Sequence, residues 1–226
     1  DEIRVYEIGR TYHEINTFFP LEEKKIIGAV AIKSKNNKPF YEAKGVVETF
    51  LEKFNIKTVE VAKGVKNTPY AHPTKSITYI DQNAQTLAKI FMLHPLVAKK
   101  HELENFSVAI FELNFTELMK VQTDERKYRP IPKFPSIEID VSVVVNSTTE
   151  VKTIQEAIKD ADQNLITAIE LFDIYEGDKI EASKKSIAFK ITLQSPDRTL
   201  TDQEMSEVQS KVFKNLEKIG GVIRGR

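Results

Sequence analysis

The clearest pattern of hydrophobic and polar positions lies in the second half of the chain. Apolar residues alternate with polar ones over 137–145 and again over 187–193, which is typical of strands that bury one face. Residues 165–175 are rich in Leu, Ile, Phe and Tyr and predict another strand. Residues 222–224 predict a short final strand. Together these segments indicate a sheet with one apolar face.

Helical spacing lies between these strands. Apolar residues recur at intervals of three and four over 151–161 and over 205–219. Capping-box patterns at 147–150 and 201–204 predict where the two helices begin, and Gly220-Gly221 predicts where the second one ends. The order β-α-β-β-α-β predicts a ferredoxin-like α+β domain, in which two helices cover one sheet face and the other face stays open.

The first half also predicts an α+β fold, with an antiparallel sheet and flanking helices, although the pattern leaves its strand order open. The predicted strands are 4–10, 26–33, 58–62, 76–80 and 107–113, and the predicted helices are 41–54, 96–101 and 115–121. The first of these helices has five apolar residues that are expected to face inward: Val46, Val47, Phe50, Leu51 and Phe54.

A break in this pattern separates the two halves. Prolines 130, 132 and 135 have no backbone N–H that could donate to a β-sheet, and they favour an extended chain. We therefore predict a first domain over 1–125, a linker over 126–132 and a second domain over 133–226.

Composition narrows the classes of function. The 226 residues carry 33 basic and 33 acidic side chains, so binding of nucleic acid through bulk charge is disfavoured and any RNA contact needs a local patch. The absence of Cys excludes disulfides, thiolate metal sites and thiol catalysis. No apolar run approaches the roughly 20 residues that a membrane span needs. We expect a cytoplasmic protein with no signal sequence and no membrane partner.

No set of catalytic or metal-binding residues can be assigned. His94 and His101 are seven positions apart with Pro95 between them, so they do not form the helical pair that metals prefer. The chain has no nucleotide-binding glycine motif, and no carboxylate pair suited to acid–base catalysis stands out. We expect a protein without an active site or a metal site of its own.

The open sheet face is the best candidate for function. Asp173 and Tyr175 have the same parity, and an aromatic ring beside a carboxylate suits the recognition of a base. The alternative is an ordinary edge aromatic and a turn residue. Four polar residues are also expected on this face: Asp140, Ser142, Lys190 and Thr192. Six basic residues are candidates for phosphate contacts, or else are solvated surface charges: Lys184, Lys185, Lys190, Arg198, Arg224 and Arg226.

Several stretches resemble, in their joint order, the C-terminal portion of the bacterial phenylalanyl-tRNA synthetase beta subunit family. They are YEIGR at 6–10, KGVVE at 44–48, HPTKS at 72–76, LHP at 93–95, AIFEL at 109–113, FDIYEG at 172–177, KSIAF at 185–189, RTLTD at 198–202 and IRG at 223–225. By this resemblance the first half is a non-catalytic class II synthetase-like domain that is truncated at its N-terminus. The second half is a ferredoxin-like anticodon-binding domain.

The resemblance implies roles for four residues. Tyr175 would stack on the guanine at the first anticodon position, Asp173 and Ser186 would hydrogen-bond its edges, and Arg224 would hold the loop. The implied partners are the anticodon stem-loop of tRNA(Phe) and the catalytic alpha subunit, within a heterotetramer in the full enzyme. ATP and magnesium are expected only in the complete enzyme, so we expect no cofactor in this chain.

One stretch departs from the family pattern, which usually has Pro-x-Val-Arg-Arg-Asp on the first strand of this domain. Here residues 135–140 read Pro-Ser-Ile-Glu-Ile-Asp, so Glu138 and Ile139 replace two basic residues. A second hypothesis is a free-standing protein-interaction module without RNA binding, which the zero net charge and the slightly acidic second half favour. Binding of tRNA that weakens steeply as the salt concentration rises would favour an anticodon-binding domain over a protein-interaction module. A third, a small enzyme using a pocket on the sheet, finds no supporting set of residues.

Overall fold

The computed structural model consists of two units, Asp1–Tyr128 and Arg129–Arg226, each with a hydrophobic core of its own. It describes residues 2–14, 18–33, 36, 38–56, 59–123, 128, 131–177 and 180–224. Most of the predicted linker 126–132, and the predicted phosphate contact Arg226, lie outside the described residues.

The described residues of the first unit form six strands and three helices: β1 (Glu2–His13), β2 (Leu21–Ile32), α1 (Lys38–Lys53), β3 (Glu60–Lys63), β4 (Ala71–Ile80), β5 (Thr86–Leu93), α2 (Pro95–Lys100), β6 (Ser107–Asn114) and α3 (Phe115–Val121). All described pairings are antiparallel, and the strand order is β1-β2-β6-β5-β4-β3. The predicted antiparallel α+β fold is therefore confirmed for this half.

Helix α1 packs its apolar stripe on one face of this sheet. Ala43, Val47 and Leu51 are buried there, in a cluster with residues of β4, β5 and β6. Phe50 and Phe54 are partly buried against the same cluster, and their rings stack at 4.6 Å. The prediction was wrong for Val46, which is 45% exposed, because it lies next to the stripe rather than in it.

Strand β5 was absent from the sequence-based prediction. Its residues are almost continuously apolar, and neighbours such as Ile90 and Phe91, which point to opposite faces, are both fully buried. A strand that is covered on both faces lacks the polar alternation by which a half-buried strand is recognised.

In the second unit the part of the chain that the structure describes forms four strands and two helices: β7 (Ile137–Asn146), α4 (Val151–Lys159), β8 (Ile166–Tyr175), β9 (Lys184–Leu193), α5 (Asp202–Lys218) and β10 (Val222–Arg224). The order β-α-β-β-α-β is confirmed, and the antiparallel sheet has the strand order β10-β7-β9-β8. The inward residues of α4 and α5 share one core with the apolar face of this sheet. Among the described residues of this unit, no helix lies on the opposite face.

The two predicted capping boxes had different outcomes. At α5 the box is confirmed: the Thr201 hydroxyl accepts the backbone N–H of Glu204, and the Glu204 carboxylate accepts the backbone N–H of Thr201. This last hydrogen bond, together with those from Arg198 and the Thr201 hydroxyl, lowers the pKa of Glu204 to about 2. At α4 the box was wrong, because Glu150 itself is the N-cap residue and its side chain makes no capping hydrogen bond.

Two β-bulges decide which way the side chains of β8 point. The pairing with β9 skips one residue between Ile166 and Ala168 and another between Leu171 and Asp173. Each extra residue turns the following side chains to the other face. With these two shifts, four apolar residues share the helix side of the sheet: Ile166, Ile169, Leu171 and Ile174. They leave Asp173 and Tyr175 on the opposite face.

Two glycines of the first unit should respond to alanine with opposite signs. A Cβ on Gly28 would lie 2.2 Å from the ring of Phe111, its cross-strand neighbour, so Gly28→Ala should destabilise the unit by about 1–3 kcal/mol. Gly45, in α1, has open space around the same position, so Gly45→Ala should stabilise by roughly 0.5–1 kcal/mol. Urea unfolding of both variants measures the difference, and equal midpoints would contradict this account of the sheet.

Candidate nucleic-acid interface

The second sheet presents side chains in rows across its four strands on the face opposite α4 and α5. Directly opposed residues of antiparallel strands point to the same face, so the register alone defines these rows. Running from β10 to β8, one row contains Val222, Val144, Ser186 and Tyr175. The next row contains Arg224, Ser142, Ala188 and Asp173. All four residues implied in anticodon binding therefore lie on one face, which we call the open face.

Tyr175, Asp173 and Ser186 are close neighbours on this face. Tyr175 and Ser186 are directly opposed, so their Cβ atoms are about 5 Å apart. Asp173 lies two residues before Tyr175 on the same strand, about 7 Å away. A ring, a carboxylate and a hydroxyl thus border a floor of small side chains that includes Ala188 and Val144.

Both polar groups of this trio are available to a ligand. Asp173 is exposed, and its carboxylate has no hydrogen bond to any of the described residues. Ser186 is only 7% exposed, and its hydroxyl likewise lacks a partner in the described part of the chain. No fully buried side-chain polar atom is left unpaired there, which means that the Ser186 hydroxyl reaches the surface.

The position of the Tyr175 ring depends on Gly177, a residue that was not predicted to have a role. A Cβ on Gly177 would lie 2.8 Å from the Tyr175 hydroxyl and 2.9 Å from its Cζ, so the ring rests where an alanine methyl would be. Gly177 does not have a left-handed backbone conformation, so the requirement is space rather than backbone freedom. The glycine two residues after the tyrosine is the signal that could have revealed this contact. Tyr175 keeps 38% of its surface exposed.

Arg224 lies on the same face but at the other edge of the sheet. It shares a row with Asp173, yet three strand spacings separate the two, about 14 Å between backbones. A single base does not span that distance. The geometry therefore separates Arg224 from the other three residues and suits it to a neighbouring nucleotide or phosphate.

Most of the predicted phosphate contacts are already engaged. Lys184 forms an ion pair with Glu181 at 3.0 Å, and Arg198 pairs with Glu204 at the N-terminus of α5. Lys185 lies opposite the buried Val145 and so has the parity of the helix side. These contacts disfavour Lys184, Lys185 and Arg198 as primary phosphate ligands.

Lys190 lies within an acidic end of the open face. Its ammonium pairs with Glu138 at 3.1 Å, which is the main cause of its raised pKa. Its cross-strand neighbours on that face are Asp140 and Glu170. Three carboxylates thus surround one ammonium, which disfavours a phosphate at this end of the sheet.

Glu138 and Ile139, the two residues that depart from the family pattern, lie on opposite faces of the sheet. Glu138 is one of the carboxylates of this acidic end, paired with Lys190. Ile139 points to the other face and is buried in the core of the unit. One replacement therefore changes the charge of the open face, and the other adds to the hydrophobic core.

The histidines have local structural roles where they are described. His94 is the N-cap residue of α2, where its ring accepts the N–H of Leu96, and the His72 ring accepts the N–H groups of Thr74 and Lys75. Burial is the main cause that lowers the pKa of His72. Within the described ranges no three His, Asp or Glu side chains cluster as metal ligands would. Helices in those ranges are all too short or too polar to cross a membrane.

A ring, two hydrogen-bonding groups and a sheet face of this kind also occur together in proteins that stack single-stranded bases on a sheet surface. In line with this, the family model described as "Ferredoxin-fold anticodon binding domain" matches residues 132–224. The model described as "Phenylalanyl tRNA synthetase beta chain CLM domain" matches residues 1–115. The chain belongs to the phenylalanyl-tRNA synthetase beta-chain family.

Individual relatives agree with this assignment. Each of the following is a phenylalanine–tRNA ligase beta subunit: that of Bacillus licheniformis is 34% identical over 100% of this chain, that of Carboxydothermus hydrogenoformans 32% over 99%, and that of Geobacillus kaustophilus 31% over 100%. The chain spans 29% of the length of these relatives. A solved pyrrolysyl-tRNA synthetase from Desulfitobacterium hafniense is similar over 54% of this chain and 42% of its own, with 14% identity and a TM-score of 0.41, too distant to add to the argument.

Alanine at position 177 should move the Tyr175 ring without unfolding the unit. The new Cβ needs the space that the ring occupies, and the backbone conformation there is open to any residue. We expect Gly177→Ala to change the nuclear Overhauser contacts between the Tyr175 ring and residue 177. The free energy of unfolding should change by no more than about 0.5 kcal/mol. Gly9→Ala is the matched control, since its Cβ would meet only Glu7, at 3.9 Å. An unmoved Tyr175 ring would show that Gly177 has no positioning role.

Proposed function

We propose that residues 129–226 bind the anticodon stem-loop of tRNA(Phe), and that Tyr175, Asp173 and Ser186 hold the guanine at its first anticodon position. The adjacency of these three side chains on the open face carries the proposal. Membership in the family and the match to an anticodon-binding domain support it. The four residues of the site are Asp173, Tyr175, Ser186 and Arg224.

The chemistry of Asp173 favours guanine over the other bases. A carboxylate offers two acceptor oxygens side by side. Guanine presents two neighbouring donors, N1–H and the N2 amino group, on its Watson–Crick edge, and an unpaired loop base can offer that edge to a protein. Adenine has no such pair of donors, so its ring nitrogen would face the carboxylate. Tyr175 contributes stacking, which tolerates any base, and Asp173 contributes the selectivity.

The charge of the open face gives the RNA a direction. Arg224 provides a cation at the β10 edge, whereas Glu138, Asp140 and Glu170 make the far end acidic. The phosphate backbone therefore runs across the sheet from Tyr175 toward Arg224, and not along β9 past Lys190.

Tyr175→Ala should weaken binding of the anticodon stem-loop by about 1–3 kcal/mol, because one base loses its stacking partner. Fluorescence anisotropy of the labelled stem-loop with the 226-residue chain, at two salt concentrations, measures the change. Phe172→Ala is the matched control, since Phe172 is an exposed aromatic on the same strand and occupies a bulge outside the rows of the site. Gly177→Ala should also weaken binding, but not when Tyr175 is already alanine.

Equal affinities for wild-type chain and Tyr175→Ala would remove the tyrosine from the site. Absence of any salt-dependent RNA binding would favour the second function, a protein-interaction module. The observation in favour of that module is the acidic end of the open face, which suits a basic peptide better than RNA.

We propose further that the first unit contacts the catalytic alpha subunit, within the heterotetramer of the complete cytoplasmic enzyme. ATP and magnesium act in that complete enzyme, and this chain alone does not aminoacylate. An apolar area on β1 and β2 supports the contact: Ile3, Val5 and Ile27 are large, exposed and on the sheet face away from α1. Exposed apolar areas of this kind are typical of protein interfaces.

Val5→Asp should reduce co-purification of the alpha subunit with this chain, because a carboxylate would be buried in an apolar contact. Val5 is 58% exposed on the outer strand β1. The matched control is Val61→Asp, since Val61 is 48% exposed on β3, the outer strand at the opposite edge of the same sheet. Equal recovery of the alpha subunit with both variants would move the contact away from β1.

A further inference from the structure

A cavity of about 520 Å³ lies on the first sheet, on the face away from α1, where β3, β4 and β5 meet the loop that follows β3. Three lysines line it: Lys63, Lys66 and Lys89. Two threonines, Thr78 and Thr86, together with Asn67 and the backbone of Gly64 add to the polar lining. No Asp or Glu is among the described residues that line it, although the chain as a whole has equal numbers of acidic and basic residues.

Lys89 is the most informative of these residues. It lies on β5, an inner strand, and is half-buried rather than extended into solvent. Its cross-strand neighbour Glu112 carries the nearest carboxylate in the register, but that carboxylate pairs with Lys25 at 3.4 Å. Within the described part of the chain, Lys89 has no ion pair. A partly desolvated ammonium that faces a cavity without a carboxylate favours an anion from outside.

The loop after β3 lines the same cavity as Lys89. Gly64 has a φ of +82°, a conformation that turns the chain back over the sheet. The Gly64 N–H donates to the Ser76 carbonyl at 2.8 Å, and its own carbonyl accepts the Thr78 hydroxyl at 2.7 Å. Thr78 is the direct cross-strand neighbour of Lys89. Because both groups of Gly64 are tied to β4, the exposed ammonium of Lys66 is held at the rim of the cavity.

The other rim is the turn between β4 and β5. Asp81 is buried there and accepts the N–H groups of Asn83 and Gln85 at 2.9 and 2.8 Å, so its charge is satisfied within the turn. Ala84, which lines the cavity, has a φ of +60°, which is costly for a residue with a side chain. The turn and the loop together make a concave wall of defined shape around the lysines.

We infer that this cavity is a phosphate-binding site, in which Lys89, Lys66 and the Thr86 hydroxyl hold the phosphate. The ammonium groups neutralise the charge of the phosphate, and Thr86 can donate to its oxygens. The phosphate belongs either to an RNA backbone or to a small phosphorylated molecule, since both present the same group. The site is in the first unit and is independent of the base-binding residues of the second.

Two probes test the site on the 226-residue chain: inorganic pyrophosphate and a single-stranded oligouridylate. Both are titrated while the amide resonances of Gly64, Thr78 and Lys89 are followed by NMR. We expect these resonances to shift. A stronger response to pyrophosphate would identify a small ligand, and a stronger response to the oligonucleotide would identify an RNA backbone.

Variants that remove a charge provide a second test of the phosphate site. Lys89→Gln should weaken the preferred probe roughly ten-fold, because one charge-assisted hydrogen bond is lost. Lys66→Gln, in an exposed loop, should also weaken it and serves if Lys89→Gln proves unstable. The matched control is Lys99→Gln on α2, an exposed lysine of the same unit that is outside the cavity. Unshifted Gly64, Thr78 and Lys89 resonances with both probes would overturn the proposal, and so would equal affinity of the Lys66 and Lys99 variants.

Discussion

The register of β8 against β9 is the constraint on which the candidate interface depends. A strand with side chains of period two presents the wrong face after a slip of one residue. Here two bulges, at Thr167 and Phe172, each insert one residue, and their effects cancel by the end of the strand. The Thr167 hydroxyl donates to the carbonyl of Thr192, which supports the ladder at the first irregularity. Burial of apolar side chains against the helices favours this register, and the positions of Asp173 and Tyr175 on the open face follow from it.

The regular parts of this arrangement could be predicted from the sequence, and the irregular parts could not. Alternation over 137–145 and 187–193, interrupted at Val144 and Ala188, predicted two strands and their faces, because each buries one side only. The same reasoning related Asp173 to Tyr175, since no bulge separates them. It could not show that the side chains of residues 168–171 point to the faces opposite to those expected for an uninterrupted strand. The positions of bulges depend on packing against α4 and on partners in β9, which the local sequence does not specify. Strand order has no local signal either, since its hydrogen bonds join residues that are far apart in the chain.

The roles of individual charges were harder to predict than their presence. Lys190 and Glu138 lie 52 positions apart in sequence, and only the pairing of β7 with β9 brings them together. Arg198 was a candidate for phosphate because of its charge, yet the capping box of α5 engages it. Gly177 lies in the FDIYEG stretch at 172–177, but its contact with Tyr175 depends on a side-chain conformation that the sequence does not specify. Lys89 was not singled out, because the strand that carries it was missed.

The irregularity of β8 has a second consequence, for self-association. This strand is the outer member of its sheet, and Leu171, Phe172 and Ile174 on it are partly exposed. A straight strand with such side chains would be a template on which the strand of another molecule could add. The bulges interrupt the even row of N–H and C=O groups, so an incoming strand could match it for only a few residues. The distortion that places Tyr175 opposite Ser186 therefore also disfavours edge-to-edge pairing between copies of the chain.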